Sequence, residues 1–341
     1  MPDLSVVLIT KNQQWNVPRL VESVLERTAS YSSREIMLVD SASSDKTVDE
    51  AARYPIQVIR LPATQRLTAA AGRYIGYKQT TGENVLFLDG DMELCEGWLE
   101  KALDVLQQDS KIAVVTGQVI DRPINTPRSD IYVVEKTDGP VKMIEVGHGG
   151  GAALYRRAVL DEVGPFNPYI YSDEEPELCI RIRQRGYRVV ELDYPAVCHY
   201  SDPFLSITTL LKRWRRNLYI GLGQNLRSHL GDDLFWVYLK ERGFGCLPGI
   251  AITAGVFSLL LSLFSQQILW FGLWVLGLIA FIGLLYYRKR NLYWVMHTLV
   301  RRLLMTSGTV QGFLIKPLKP DTYPVDSIEF IKPTEEIRSD V

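Results

Sequence analysis

The chain has 341 residues and a formal net charge of −1, with 38 Lys+Arg against 39 Asp+Glu. This near balance removes bulk electrostatics as a ground for nucleic-acid binding. The length allows two or three structural units. The four cysteines, Cys95, Cys179, Cys198 and Cys246, are widely spaced and form neither a CxxC pair nor a short disulfide framework, so reduced, mostly buried thiols in a cytosolic compartment are expected.

The first part of the chain alternates short apolar runs with helical spacing. Asp3 and the β-type run that follows it, without a basic n-region, argue against a signal peptide. The spacing predicts strands at 5–10, 35–40, 56–61, 84–89 and 112–116, with helices at 17–27, 46–53, 67–79 and 97–107 between them. A βαβα order of this kind implies an open, mostly parallel α/β sheet with helices on both faces. From Asp121 to Gly151 the pattern loosens, with Pro123, Pro127 and Pro140, and a variable loop is expected. A weak strand at 141–146 and a glycine-rich turn at Gly149-Gly150-Gly151 are expected there. Short helices at 157–163 and 176–185 and a strand at 187–192 follow.

The second part changes character. A helical stripe, Ile207, Leu211, Trp214, Leu218, Leu222 and Leu226, runs beside Lys212, Arg213, Arg215, Arg216 and Arg227 over 204–230. This reads as a basic amphipathic helix suited to anionic headgroups. From Gly243 to Tyr287 there is no Asp, Glu, Lys, Arg or His. One helix needs only about 20 residues to cross the hydrocarbon core, so this run divides at Ser265-Gln266-Gln267 into a transmembrane hairpin. Lys240 and Arg242 flank one end and Arg288-Lys289-Arg290 the other, which places both ends in the cytoplasm. Residues 292–315 form a second candidate interface helix. The proline-bearing tail from Lys316 is expected to be irregular.

Ligands of open α/β sheets sit outside the carboxyl ends of the strands. Three polar groups lie at those ends: Thr10-Lys11-Asn12, Asp40 to Asp45, and Asp89-Gly90-Asp91. The last pair puts two hard oxygen ligands one residue apart, which suits Mg²⁺ or Mn²⁺ and through it a departing diphosphate. Asp40 can accept from a base N–H or a ribose hydroxyl, whereas Asp45 reads first as a helix cap. The cluster Asp173-Glu174-Glu175-Pro176-Glu177 could supply a general base. It is also what a helix N-terminus favours, since Ser172 and Glu175 have capping-box spacing.

Together, SVVLITKNQ, VDSASSDKT, AAGRYIGYKQTTGENVLFLDGDMEL and GGGAALYRRAVLDEVGPFNPYIYSDEEPELCIRIRQRGY resemble glycosyltransferase family 2 over roughly the first 200 residues. The resemblance implies the GT-A fold, a Rossmann-like nucleotide-sugar-binding domain, and inversion at the anomeric carbon. It implies that Thr10 and Asp40 contact the nucleotide base and that Arg73 lies near the nucleotide. Asp89 and Asp91 match the DxD motif, with Asp91 the direct metal ligand, and His199 matches a histidine that helps bind metal or diphosphate. The general base would be Glu175, with Glu174 open as the alternative, because Glu175 stands where the family has Asp. Processive members carry Gln-x-x-Arg-Trp; here Leu210 takes the Gln position before Arg213-Trp214. Together with only two spans, this favours single-sugar transfer over polymerisation.

The organisation expected is a GT-A domain at 1–203, a juxtamembrane amphipathic helix at 204–242, a two-helix hairpin at 243–287, and an interface helix with tail at 288–341. The expected activity is transfer of one sugar, UDP-linked in the donor, to a hydroxyl of a lipid-linked saccharide, with Mn²⁺ or Mg²⁺ as cofactor. The expected partners are the donor, that acceptor and membrane lipids, without nucleic acid. The expected place is the cytoplasmic side of the cell membrane, in surface-glycan assembly. A polyprenyl-phosphate acceptor is the alternative. It is already anionic and needs no base, so the acidic cluster argues against it. An inactive membrane scaffold is disfavoured by intact Asp89 and Asp91.

Overall fold

A computed structural model of the chain describes residues 3–130, 132–133, 141–201 and 206–333. The chain forms two compact units, one from residues 1–203 together with 318–341, the other from Phe204 to Pro317.

The first unit is built on strands β1 (Leu4–Thr10), β2 (Arg34–Asp40), β3 (Gln57–Arg60), β4 (Asn84–Asp89), β5 (Met92–Leu94), β6 (Ile112–Pro123), β7 (Met143–Glu145), β8 (Ala152–Arg156) and β9 (Arg188–Ser201). Helices α1 (Val17–Arg27), α2 (Thr47–Ala51), α3 (Ala69–Gln79), α4 (Trp98–Gln108), α5 (Arg157–Val163) and α6 (Glu174–Gln184) lie between them. A last strand, β10 (Glu329–Lys332), comes from the C-terminal tail. The sheet order is β10-β3-β2-β1-β4-β8-β6-β9-β5, with β7 paired to β9. β3, β2, β1 and β4 are mutually parallel. Every residue of β1 is buried, as a central strand covered on both faces requires. α3 lies close on β1 because it carries glycines there: a Cβ at Gly76 would meet Val7 Cγ1 at 2.2 Å.

The predicted α/β alternation is present, and α1, β4 and α5 have the bounds expected. The differences lie at chain ends and in the antiparallel half. The helix expected over 46–53 is a five-residue turn of helix, α2. α6 begins at Glu174 rather than Pro176, so the acidic cluster forms its first turn. β6 and β9 run 12 and 14 residues, well past the points where apolar alternation stops, because they pair with each other in parallel to the register Pro123↔Ser201. The expected glycine-rich turn leads directly into β8, which inserts antiparallel between β4 and β6. The tail expected to be irregular instead returns to the first unit, pairing β10 antiparallel to β3 and burying Tyr323 to 2% exposure.

The second unit holds α7 (Ile207–Arg215), α8 (Gly221–Ser228), α9 (Asp233–Arg242), α10 (Leu247–Ser265), α11 (Leu269–Lys289) and α12 (Leu292–Leu314). The continuous amphipathic helix expected over 204–230 is broken. Asn217 takes a left-handed φ of +62 between α7 and α8, and the phase shifts so that Leu210 is buried while Leu211 is exposed. The hairpin divides near the expected point, with Gln266 left-handed at the end of α10. Asp233–Ser265 and Leu269–Lys289 are long and apolar enough to cross a membrane, and little of either is buried within the protein. Small residues bring the two together: Gly255 faces the Trp274 ring, whose Nε1 donates to Ala251 O at 3.0 Å, and Ser262 Oγ accepts from Phe271 N at 2.9 Å. Close backbone approach at small residues is how helices associate where apolar surface alone gives no drive. α8 and α12 use the same device, since a Cβ at Gly312 would lie 2.0 Å from Ile220 O.

Candidate active site

The parallel strands end together, and their last residues and following loops form one crevice. Thr10 closes β1, Asp40 closes β2 and Asp89 closes β4, so the register Thr10↔Asp40 and Ile9↔Asp89 sets all three side by side. Among the described residues of the first unit, the left-handed non-glycine residues Asn12, Ala42 and Asp173 all lie in segments bearing the predicted site residues. Backbone in this region is costly and persists where surrounding contacts hold it.

On the β1–β2 side the loops lock each other. Asp40 is fully buried. Its Oδ2 accepts from Ser43 N at 2.8 Å, and its Oδ1 accepts from the Ser43 hydroxyl and from Thr10 Oγ1, the latter at 3.4 Å. Asn12 N donates to Ser43 Oγ and Asn12 Oδ1 accepts from Ser44 N. Asp45, expected as a helix cap, instead accepts from Thr47 N at 3.0 Å and Gln14 N at 3.2 Å just ahead of α2, whose N-cap is Lys46. The sequence placed Asn12 and the Asp40 to Asp45 segment at the strand ends but gave Ser43 no role of its own; a serine three residues after a strand-ending Asp is the turn signal that could have found it.

On the other side stands Arg73, 1% exposed on α3. Its Nη2 lies 2.7 Å from Asp89 Oδ1 and 2.8 Å from Glu175 Oε1, and its Nη1 lies 2.7 Å from Glu174 Oε1. One guanidinium therefore joins the end of β4 to the first turn of α6. Burial opposes its charge, but Asp89, Glu175 and Glu174 outweigh that and hold it protonated. A single cation facing three carboxylates favours retention of a proton among them. Glu174 is pushed up to about 8, by burial first and then by Glu175. Asp89, partly enclosed at the end of β4, is pushed up against the pull of Arg73, with Glu175 and Asp91 adding to it. Glu174 is 7% exposed and Glu175 16%, so Glu175 is the more open to a ligand.

Glycine makes room for Asp89. A Cβ at Gly151 would lie 2.2 Å from Asp89 Oδ2. The triple-glycine segment thus presses its backbone against the carboxylate, and Asp89 N donates to Gly151 O at 3.2 Å.

Asp91 and His199 meet through strand pairing. β5 pairs antiparallel with β9 in the register Met92↔His199, and Tyr200 N donates to Asp91 O at 2.8 Å. This sets His199 Nε2 3.6 Å from Asp91 Oδ2. The other ring nitrogen, Nδ1, lies 2.7 Å from Asp121 Oδ1. The nearby Asp91 carboxylate, opposed by burial and reinforced by Asp121, pushes His199 up to about 9. Asp121 was placed in a variable loop by the sequence. It is a β6 residue paired with His199, and its fixing of the ring is the kind of contact that sets a ligand histidine.

Among the described residues no group of three or more His, Cys, Asp or Glu side chains is gathered for a metal. The donor set nevertheless fits one. A carboxylate and an imidazole suit Mn²⁺, and a cation on His199 Nε2 would replace the proton held there against Asp91. Two side-chain ligands leave the remaining positions to water and phosphate oxygens, the arrangement Mg²⁺ and its relatives commonly take. Asp89, engaged with Arg73, stands behind this pair. A separate pocket of about 560 Å³ lined by Asp3, Asn84, Arg156 and Arg157 lies at the opposite ends of the strands. Its arginines are spent on backbone carbonyls, among them Leu106 and Gly82.

Residues 5–164 match the family model described as Glycosyl transferase family 2. Among curated relatives, "Glycosyltransferase AglE" of Haloferax volcanii is 25% identical over 231 residues, 66% of this chain and 73% of that protein. The human "Probable polypeptide N-acetylgalactosaminyltransferase 8" is 29% identical over 256 residues, 62% of this chain and 39% of that one. The mouse "Polypeptide N-acetylgalactosaminyltransferase 6" is 31% identical over 131 residues, and the match takes in 21% of its length. The chain thus spans well under half of these two longer relatives. Among solved structures, the mannosyltransferase PcManGT of Pyrobaculum calidifontis, in complex with GDP-Man and Mn²⁺, aligns at a TM-score of 0.60 and 18% identity over 92% of this chain and 87% of that one. S. aureus TarS 1-349 in complex with UDP-GlcNAc aligns at 0.51 and 16% identity, over 91% of each chain. At these identities the two structures establish a shared fold, the GT-A fold.

Proposed function

We propose that this chain, which carries a glycosyltransferase family 2 domain, transfers a single sugar with inversion from a nucleotide diphosphate donor to a hydroxyl of a membrane lipid-linked saccharide. The observation that carries the reading is the Arg73 tie, which holds the acidic start of α6 against the end of β4. A base for the acceptor and ligands for the departing diphosphate thereby share one crevice.

In this reading Thr10 and Asp40 form the floor for the nucleotide. Asp91 and His199 hold Mn²⁺ or Mg²⁺, with Asp89 behind them. The metal supplies charge neutralisation on the departing diphosphate. Glu175 accepts the proton of the acceptor hydroxyl, a group too weak as a nucleophile until it loses that proton. Glu174 is the deeper neighbour, which burial and then Glu175 push toward its protonated form. Arg73, closed off from solvent, orients these carboxylates. A hydroxyl acceptor is favoured over a phosphate because an anionic acceptor would have to approach this acidic cluster.

Two similar solved structures, one in complex with GDP-Man and the other with UDP-GlcNAc, support a nucleotide-sugar donor, and we take UDP as the first nucleotide to test. The lipid-linked acceptor rests on the two apolar helices and on the basic character of 204–317, where Lys and Arg far outnumber the acids Asp232, Asp233 and Glu241. Both chain ends then lie on the cytoplasmic side. The test is incubation of the purified protein with a panel of nucleotide sugars and Mn²⁺. Slow metal-dependent release of nucleoside diphosphate from one of them is expected, and no release from any would reject the reading.

A further inference from the structure

The joint that Arg73 closes from one side is held from the other by the C-terminal tail. α3 and the segment before α6 are 101 residues apart at Arg73 and Glu174, and contacts of Thr68 and Arg66 further fasten them. Thr68, the cap of α3, accepts from Ala71 N and donates its hydroxyl proton to Pro168 O at 2.8 Å. Arg66 Nη1 donates to Tyr169 O at 3.2 Å, and its guanidinium lies 5.4 Å from the ring centres of both Tyr169 and Tyr171. Tyr323 then plugs the seam. Its ring packs edge-on to Tyr74 of α3 and to Tyr169, at 6.2 and 5.5 Å between centroids, and its hydroxyl donates to Arg66 O at 2.9 Å.

The contacts continue along the tail. Tyr169 and Thr322 share a hydroxyl–hydroxyl bond of 3.1 Å. Gln65 Nε2 donates to Pro324 O at 3.1 Å and also to the Ser327 hydroxyl. β10 extends the sheet at β3, and Lys332 Nζ reaches the carbonyls of Ala52 and Tyr54. Tyr74 is the next residue after Arg73, and Tyr169 lies five residues before Glu174, so Tyr323 touches both partners of the joint close to their charged side chains.

We infer that residues 318–332 are a positioning strap, with Tyr323 as its pin, that fixes α3 against the segment leading into α6 and so sets the geometry of Glu174 and Glu175. A buried aromatic ring with a satisfied hydroxyl is suited to this, because it adds packing and direction at low entropic cost. The tail acts through Arg66, Tyr74 and Tyr169 and touches no reacting group. The inference rests on the proposed activity only for its consequence in turnover, not for the strap itself.

The test uses the full chain with Tyr323→Ala, Tyr323→Phe and Gln65→Ala. Hydrogen–deuterium exchange needs no substrate. In Tyr323→Ala, exchange over residues 62–72 and 165–176 should rise at least about tenfold while β1 and β4 stay protected. Tyr323→Phe, which keeps the ring, should recover most of that protection. With the sugar nucleotide found active, kcat for nucleoside diphosphate release should fall several-fold with donor KM little changed. Unchanged exchange in both segments, or a rise spread evenly over the domain, would overturn the strap. If Tyr323→Ala does not fold, Gln65→Ala decides by the same two segments, where its exchange should rise and unchanged exchange would overturn the strap. Failure of wild-type protein to act on any sugar nucleotide would count against the transferase reading and leave the exchange result standing.

Discussion

Arg73 and Asp89 meet 2.7 Å apart, the guanidinium 1% exposed and the carboxylate 34%. The same guanidinium holds both Glu174 and Glu175, so its loss would strand three acids around a buried vacancy. Removing one partner of a buried pair costs about 3–5 kcal/mol, because the other charge is left uncompensated. Arg73→Met should therefore lower unfolding stability by about that amount, and Arg73→Lys by less, since the charge is kept although an ammonium cannot span three partners. Denaturant unfolding of the three proteins checks this. A change under about 1 kcal/mol in Arg73→Met would show that the carboxylates do not depend on it.

Gly151→Ala tests whether the glycine segment serves the Asp89 carboxylate. The added methyl would fall 2.2 Å from Asp89 Oδ2, with Asp89 Cγ and the Met92 methyl also at 2.9 Å, so the carboxylate must move. Metal-dependent UDP binding should weaken about tenfold or more with the far-ultraviolet spectrum unchanged. Gly147, which has open space around it, is the control: Gly147→Ala should bind normally. Equal binding by Gly151→Ala and wild type would contradict the close approach.

Metal dependence is expected to run through Asp91 and His199. Two diphosphate charges brought beside Asp89 and Asp91 would repel both without a cation. Calorimetry should give tighter UDP binding in Mn²⁺ than in EDTA, and Asp91→Asn should lose most of that difference. Asp121→Asn should lose part of it, because it frees the His199 ring without removing a ligand. Equal affinity in Mn²⁺ and EDTA would remove the metal from the account.

These contacts also show what the sequence could and could not reveal. Central strands are legible because burial on both faces leaves an unbroken apolar run, as in Leu4–Thr10, and strand ends are legible because polarity resumes there, at Thr10, Asp40 and Asp89. Strands completed by partners rather than by pattern are not. β8 hides behind three glycines, and the outer half of β6 alternates weakly because only its pairing with β9 defines it. The Arg73 cluster joins residues 16 and 101 positions apart, a relation no local spacing encodes. The tail failed for the same reason. Its prolines signal an irregular path, while the sheet edge and the Tyr74–Tyr169 seam it occupies belong to distant segments.

Membrane insertion is expected from Asp233–Ser265 and Leu269–Lys289, whose large apolar side chains, Phe257, Phe264 and Leu276 among them, face outward. Carbonate extraction of membranes from expressing cells should leave the full-length protein in the pellet. Its recovery in the supernatant would reject the spans and with them the lipid-linked acceptor.

The most direct measurement of the central claim is sugar transfer and UDP affinity for wild type, Glu175→Gln and Glu174→Gln side by side. Gln keeps the size of the side chain and a hydrogen-bonding carbonyl, but it cannot accept the acceptor's proton. A positioned base contributes about 10²–10⁴-fold to rate, so Glu175→Gln should lose transfer by that factor with UDP affinity nearly unchanged. Glu174→Gln should fall less, because Glu174 is the buried member of the pair and the one that favours its proton. Loss confined to Glu174→Gln would move the base one residue upstream. Near-normal transfer by both variants would contradict a hydroxyl acceptor activated at this cluster.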